Sequence, residues 1–154
     1  MEMTVNTLNR LICGAFNDIS RAEQNAIWSS GMDDVSVNEV HTVDAIGVFS
    51  SKTMSEVAAK LEITMGTLTV SINHLVKKGY VCKQRSPKDR RVYMLSLTDK
   101  GKELYKVHQN FHFELVKNLV LDLSDYEAEM FIEALSNLNE YLGSKLKLIK
   151  GEKQ

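Results

Sequence analysis

Three helix starts and a hairpin follow one another without interruption between Ser36 and Thr98, and that order leaves few folds open to the chain. Ser36 with Glu39, and Thr53 with Glu56, each set a hydroxyl three residues ahead of a glutamate. At that spacing the two side chains can satisfy the unpaired N–H groups of a first helical turn. Thr64 can cap a third helix, "MGTLTVSINHLVKKG", and Gly79 can close it in the left-handed conformation. Beyond it, "YVCKQR" and "RVYMLSL" are rich in β-branched and aromatic residues and flank the polar "SPKD", which holds the single proline, so they predict a two-stranded hairpin.

Helix, turn, helix, hairpin is the order of a winged helix-turn-helix lobe, here residues 36–98. On either side lie long amphipathic patterns. Leu8, Leu11, Ile12, Ala15, Phe16, Ile19 and Ala22 recur at three and four, predicting a helix from Thr4 to about Trp28. After Thr98 two further patterns run from Asp99 to Leu121 and, behind a Ser124–Glu127 capping box, from Asp125 to about Ile149. The fold class is therefore mainly α with a small β-hairpin wing. Residues 1–154 are expected to form one domain, in which 1–30 and 99–150 make a helical dimerisation region.

Charge is distributed unevenly along this framework. Residues 77–106 hold ten Lys or Arg against three Asp or Glu, leaving nine cations and seventeen acids for the rest of a chain whose total is −1. Such a segregation points to a polyanionic partner. On the third helix, a buried side centred on Leu68 with Thr64, Ser71, Ile72 and Leu75 leaves Gly66, Val70, Asn73 and Lys77 opposite, flanked by Thr67, Thr69 and His74. That face is small, polar and free of acids. It suits close entry into a DNA major groove, with Thr and Asn meeting base edges, Val70 or a Thr methyl meeting a thymine methyl, and Lys77 a phosphate. The alternative is a solvated face, which ordinarily carries glutamates. At the hairpin tip, Arg85, Lys88, Arg90 and Arg91 form a cationic wedge for phosphate and a narrow minor groove. Asp89 is expected to hold the fork of Arg91, or of Arg90, by paired hydrogen bonds.

The segment "LVKKGYVCKQRSPKDRRVYMLSLTDKG", with its Asp89-x-Arg91 tip and LxLTxxG exit, resembles the wing region of the MarR family of bacterial transcription regulators, and the order of helices agrees over nearly the full chain. The resemblance implies a homodimer that reads a pseudo-palindromic duplex. "EVHTVDAIG", "TMGTLTVSINHLVKKGY" and "HQNFH" are similar to the branch of that family that represses fatty-acid-synthesis genes. This implies long-chain acyl-acyl carrier protein as corepressor, with no cofactor required. The acyl chain would enter an apolar cleft between the dimer helices and the DNA-binding lobes; Phe16, Ile19, Val40, Val43, Ile46, Phe111 and Leu115 are apolar positions on the elements expected to meet there.

Other chemistry finds less support. His108 and His112 are four apart on one helix, and His41 with Glu39 can approach them, which is metal-ligand spacing. The pattern resembles part of that in zinc-responsive relatives, but these place a glutamate immediately before the histidine and supply a cysteine ahead of it. Here Val40 precedes His41 and residues 29–34 hold no cysteine. The other reading of the histidines is hydrogen-bonded structural groups or a polar rim to the ligand cleft. Cys13 lies where peroxide-sensing relatives keep a thiol, yet no tyrosine occurs before Tyr80 to hold a thiolate. GxSxG, P-loop, HExxH and dinucleotide motifs are absent, so an enzyme is not expected; a protein-interaction module remains the different-class alternative. Glu2 stands where a signal peptide would carry positive charge, and Asn and Arg interrupt the apolar residues behind it, which predicts a cytoplasmic protein with no membrane partner.

Overall fold

The computed structural model describes residues 1–151; the last three of the expected 1–154 extent lie outside the described residues. Nine elements follow in order: α1 (Glu2–Ser29), α2 (Val37–Ile46), β1 (Lys52–Thr53), α3 (Met54–Leu61), α4 (Met65–Lys77), β2 (Val81–Arg85), β3 (Tyr93–Leu97), α5 (Asp99–Val120) and α6 (Asp125–Gly151). They fall into two compact units, residues 1–112 and 113 onward, with the boundary inside α5.

In the first unit, local capping sets the helix starts as the sequence predicts. Ser36 and Glu39 form a reciprocal capping box on α2, and Thr53 and Glu56 another on α3. Thr64 accepts the Thr67 N–H at 3.2 Å to start α4. At the far end of α4 the Gly79 N–H reaches the Val76 carbonyl and the Tyr80 N–H the Leu75 carbonyl, with Gly79 at φ +81°, so the chain turns sharply into β2. Between α3 and α4 the turn passes through Glu62 at φ +55°.

The sheet has three strands rather than the predicted two. Its order is β1-β3-β2, antiparallel throughout, with Lys52 opposite Leu95 and Val81 opposite Leu97. β3 starts at Tyr93, not at Arg91, so residues 86–92 form the tip. A turn in which the Val92 N–H meets the Asp89 carbonyl leaves Arg91 outside the ladder, while the Val92 carbonyl still accepts the Ser86 N–H at 2.8 Å across the hairpin.

One core unites the lobe. Ile27, Val40, Val43, Ile46, Val57, Leu68, Ile72, Leu75, Tyr80, Leu95 and Leu104 are each at most 1% exposed, and burying one such aliphatic side chain is worth about 1.5–3 kcal/mol. The LTxxG exit acquires a physical reason here. Thr98 caps α5 by accepting the Gly101 N–H at 3.1 Å while donating to the Gly79 carbonyl at 2.6 Å, and a Cβ on Gly101 would stand 2.1 Å from the Tyr80 carbonyl oxygen. Tyr80 donates its hydroxyl to Asp34, whose carboxyl is held below its usual range by that bond despite some burial, with help from Lys100. The Lys100 ammonium also lies 4.0 Å from the Tyr80 ring centroid.

The two longest helices are a different case. Only Glu23 and Ile27 of α1 are buried, and Val5, Leu8, Leu11, Ile12 and Phe16 are more than half exposed. In the second unit, no described residue of α6 is buried, although Ile132, Leu135, Leu138, Tyr141, Leu142 and Leu146 recur at helical spacing. The Ser124–Glu127 box caps α6 as predicted.

Candidate nucleic-acid interface

α4 separates its two sides as the periodicity requires. Leu68, Ile72 and Leu75 point into the core, while Thr64, Gly66, Thr67, Val70, Asn73, His74 and Lys77 are exposed and Thr69 is half-buried. The Thr42 and Ser71 hydroxyls meet at 3.1 Å, tying α4 to α2. The Thr67 and Thr64 hydroxyls meet at 2.9 Å, and Thr69 donates to the Met65 carbonyl. Val70 is 56% exposed, an apolar contact point amid polar neighbours. His74 is less free: its Nδ1 lies 3.8 Å from the Glu39 carboxylate.

The wing presents Arg85, Lys88, Asp89, Arg90 and Arg91 to solvent. Its anchoring differs from expectation in one respect. Asp89 accepts the backbone N–H of Arg91 at 2.9 Å, and among the described residues no ion pair joins it to either arginine. The carboxylate shapes the loop, not the guanidinium, because the turn brings the i+2 amide closer than a long side chain can stay without losing its rotamer freedom. Arg85 and Lys83 lie over the Tyr93 ring, 5.5 and 4.7 Å from its centroid. An open depression of about 360 Å³ between wing and helix is lined by Thr53, Met65, Thr69, Lys83, Arg91 and Tyr93. Arg91 and the start of α4 therefore face one recess.

Glu39 is not a neighbour of the histidine set. It caps α2 and takes Lys78 Nζ at 2.7 Å, and although burial raises its pKa, the Lys78 and Ser36 hydrogen bonds bring the net value below the usual carboxylate range. The carboxylate that does meet the histidines is Glu23, 3% exposed: its Oε1 lies 2.8 Å from His108 Nδ1, 3.3 Å from His41 Nε2 and 3.6 Å from His112 Nε2. Burial pushes His108 below the ordinary histidine range, against the pull of Glu23. A periodic signal marks Glu23 in retrospect, since it sits four residues from both Ile19 and Ile27 on the inward stripe of α1.

The apolar positions assigned to an acyl cleft separate into groups. Val40, Val43 and Ile46 are packed into the core, each at most 1% exposed, and Ile46 also borders an open depression with Asp44, Phe49 and Lys60. Phe16 is 73% exposed, Ile19 and Phe111 are half-buried, and Leu115, also half-buried, belongs to the second unit.

An exposed acid-free helix beside a cationic wing defines a winged-helix regulator. The sequence profile of the SarA/Rot transcriptional regulators matches residues 31–108, and the chain belongs to that family. It is 28% identical over 144 residues to the HTH-type transcriptional regulator SarZ of Staphylococcus saprophyticus, spanning 92% of this chain and 94% of that one. Among solved structures, Streptococcus pneumoniae FabT in complex with DNA superposes with a TM-score of 0.85 and 34% identity, over 91% of this chain and 98% of that chain. The reduced form of MarR from E. coli shares the fold, with a TM-score of 0.67 and 23% identity over 85% and 95%. The predicted MarR-type architecture is thus borne out. The chain is a DNA-binding regulator of transcription and not an enzyme. No described helix is long and apolar enough to cross a membrane.

Proposed function

We propose that two copies of this chain act together as a cytoplasmic repressor on one pseudo-palindromic operator. Each copy sets α4 in a major groove and its wing against the adjoining minor groove. The observation that carries this reading is the exposed face of α4, which holds no carboxylate from Thr64 to Lys77 and opens onto the recess containing Arg91. Thr67, Thr69, Val70 and Asn73 read base edges, with Gly66 letting the backbone come close. Thr64, His74 and Lys77 meet the sugar-phosphate backbone, as do Arg85, Lys88, Arg90 and Arg91 of the wing, while Asp89 fixes the loop that carries them. The bare apolar stripes of α1 and α6 support the dimer, because chains that expose so much aliphatic surface ordinarily cover it with a partner.

The regulated genes are those of fatty-acid synthesis, and the corepressor is long-chain acyl-acyl carrier protein. The likeness to FabT supports this branch of the family. The acyl chain would be received on the first unit, by Phe16, Ile19 and Phe111. Mobility shifts on one operator fragment test the reading, comparing long-chain acyl carrier protein with the unacylated carrier, free fatty acid and peroxide. The acylated carrier alone should tighten DNA binding, and linkage requires DNA to raise acyl-carrier affinity by the same factor. Equal effects of acylated and unacylated carrier would contradict it.

A further inference from the structure

The inward face of the wing sheet changes character along its length. Residues opposite one another in an antiparallel pair share a face, and so do residues two apart on one strand. Val81 pairs with Leu97, Lys83 with Leu95 and Arg85 with Tyr93, so one face carries all of them. At the lobe end Val81, Leu95 and Leu97 are buried in the core. Toward the tip Lys83 and Tyr93 are half-buried and Arg85 is exposed, so the same face leaves the core as an aromatic ring with two cations over it.

Those cations are uncommitted. Among the described residues no ion pair involves Lys83, Arg85 or Arg91, and no carboxylate lines the recess that Lys83 and Arg91 border. The walls of the recess add hydroxyl groups. Thr53 accepts the Glu56 N–H at 3.1 Å and keeps its own proton to donate, and the exposed Ser55 hydroxyl bonds to no described residue. Tyr93 packs against the core, which fixes its ring, and its hydroxyl has no described partner either, so what it offers is the face of the ring. Lysine and arginine have many rotamers, and ordering them at the moment they meet an anion weakens binding. A ring whose π face attracts both cations does that ordering beforehand.

We propose that this recess seats one sugar–phosphate unit of bound duplex DNA, with Lys83 as a contact residue and Tyr93 as the positioning residue that holds Lys83 and Arg85 ready for the backbone. The proposal rests on the docking of α4 and the wing described above. Thr53, Ser55 and Arg91 complete the donors around the phosphate, while Met65 and the Tyr93 ring leave apolar surface for the deoxyribose. A phosphate is the same at every step of a duplex, so the seat acts on any sequence and strengthens binding without changing base preference.

Binding of the full chain to a labelled duplex of mixed sequence, followed by fluorescence anisotropy at stepped salt, tests the seat apart from any operator. Lys83→Ala should lower the slope of log affinity against log salt by about one for each chain bound. Tyr93→Leu keeps every charge and should weaken binding about two- to fivefold, whereas Tyr93→Phe, which keeps the ring, should restore the parent affinity. In a Lys83→Ala, Arg85→Ala background Tyr93→Leu should have no further effect, because the ring then has nothing to position. Lys83 makes no ion pair with a described residue, so Lys83→Ala keeps the fold and decides the matter even where Tyr93→Leu unfolds. An unchanged slope in Lys83→Ala, equal losses in Tyr93→Phe and Tyr93→Leu, or an undiminished Tyr93→Leu effect without the two cations would each overturn the seat. Arg91→Ala tells its failure from that of the docking: a lower slope there but not in Lys83→Ala strikes the seat alone, and no change in either strikes both.

Discussion

The winged lobe and the long helices solve opposite problems with similar amino acids. Every large aliphatic residue that periodicity assigns to the inner side of α4 is fully buried. On α6 an equally regular stripe of Leu135, Leu138, Leu142 and Leu146 remains between 36% and 52% exposed. The lobe encloses its own core; the stripe does not have one. The lobe thus carries its own stability while the stripe stays uncovered, and under the proposed dimer substitutions in the two should fail in different ways.

The largest effect should come from placing charge on the bare stripe. Leu138→Glu with Leu142→Glu is expected to yield a folded monomer by sedimentation. Its operator affinity should fall by about 10²–10⁴-fold, because the second lobe no longer binds intramolecularly. A variant that stays dimeric would show that the stripe is covered by something else. In the lobe, Leu68→Ala opens a cavity at a fully buried site and should cost about 2–5 kcal/mol in chemical denaturation while leaving the dimer in place. Smaller again, Arg91→Ala should weaken operator binding by about 1–3 kcal/mol at matched salt with no change in unfolding. Unchanged affinity would remove the wing from the mechanism.

Acid should affect the lobe least and last. The Glu39 and Asp34 carboxyls lie below their usual values in the folded chain, through Lys78 and Ser36 in one case and Tyr80 in the other. A depressed carboxyl contributes stability that is fully present above its unfolded value of about 4 and is lost as pH falls through the folded value. The carboxyl contribution should thus hold steady from neutrality to about pH 5 and then decline, while His108, held by burial below its unfolded value of about 6.5, adds a loss that begins as pH falls through that value. In Lys78→Met the part of that decline due to Glu39 should shrink, which urea titrations at stepped pH would show.

How much of this could be read from the sequence depends on the reach of each interaction. The capping boxes at Ser36, Thr53 and Ser124 were legible because a cap joins residues three apart. The exposed side of α4 followed from helical geometry alone. β1 was not legible, since two residues carry no period and Lys52 finds Leu95 only through the fold. Glu23 was missed for the same reason: its partners are eighteen and eighty-five or more residues away, on α2 and α5. Glu39 looked like the partner of His41 because it is near in sequence, but it stands two residues away on a helix and so points elsewhere, to Lys78. Local spacing likewise suggested a guanidinium for Asp89, where the turn supplied an amide.

Selection of bound sequences from a random duplex library by the purified chain tests the central claim most directly. Two lobes carried on one dimer predict an enriched inverted repeat with half-sites about 10 base pairs apart, and a relaxed preference at one position of each half-site in Asn73→Ala. Enrichment of a single unrepeated half-site, or of no sequence at all, would contradict the account.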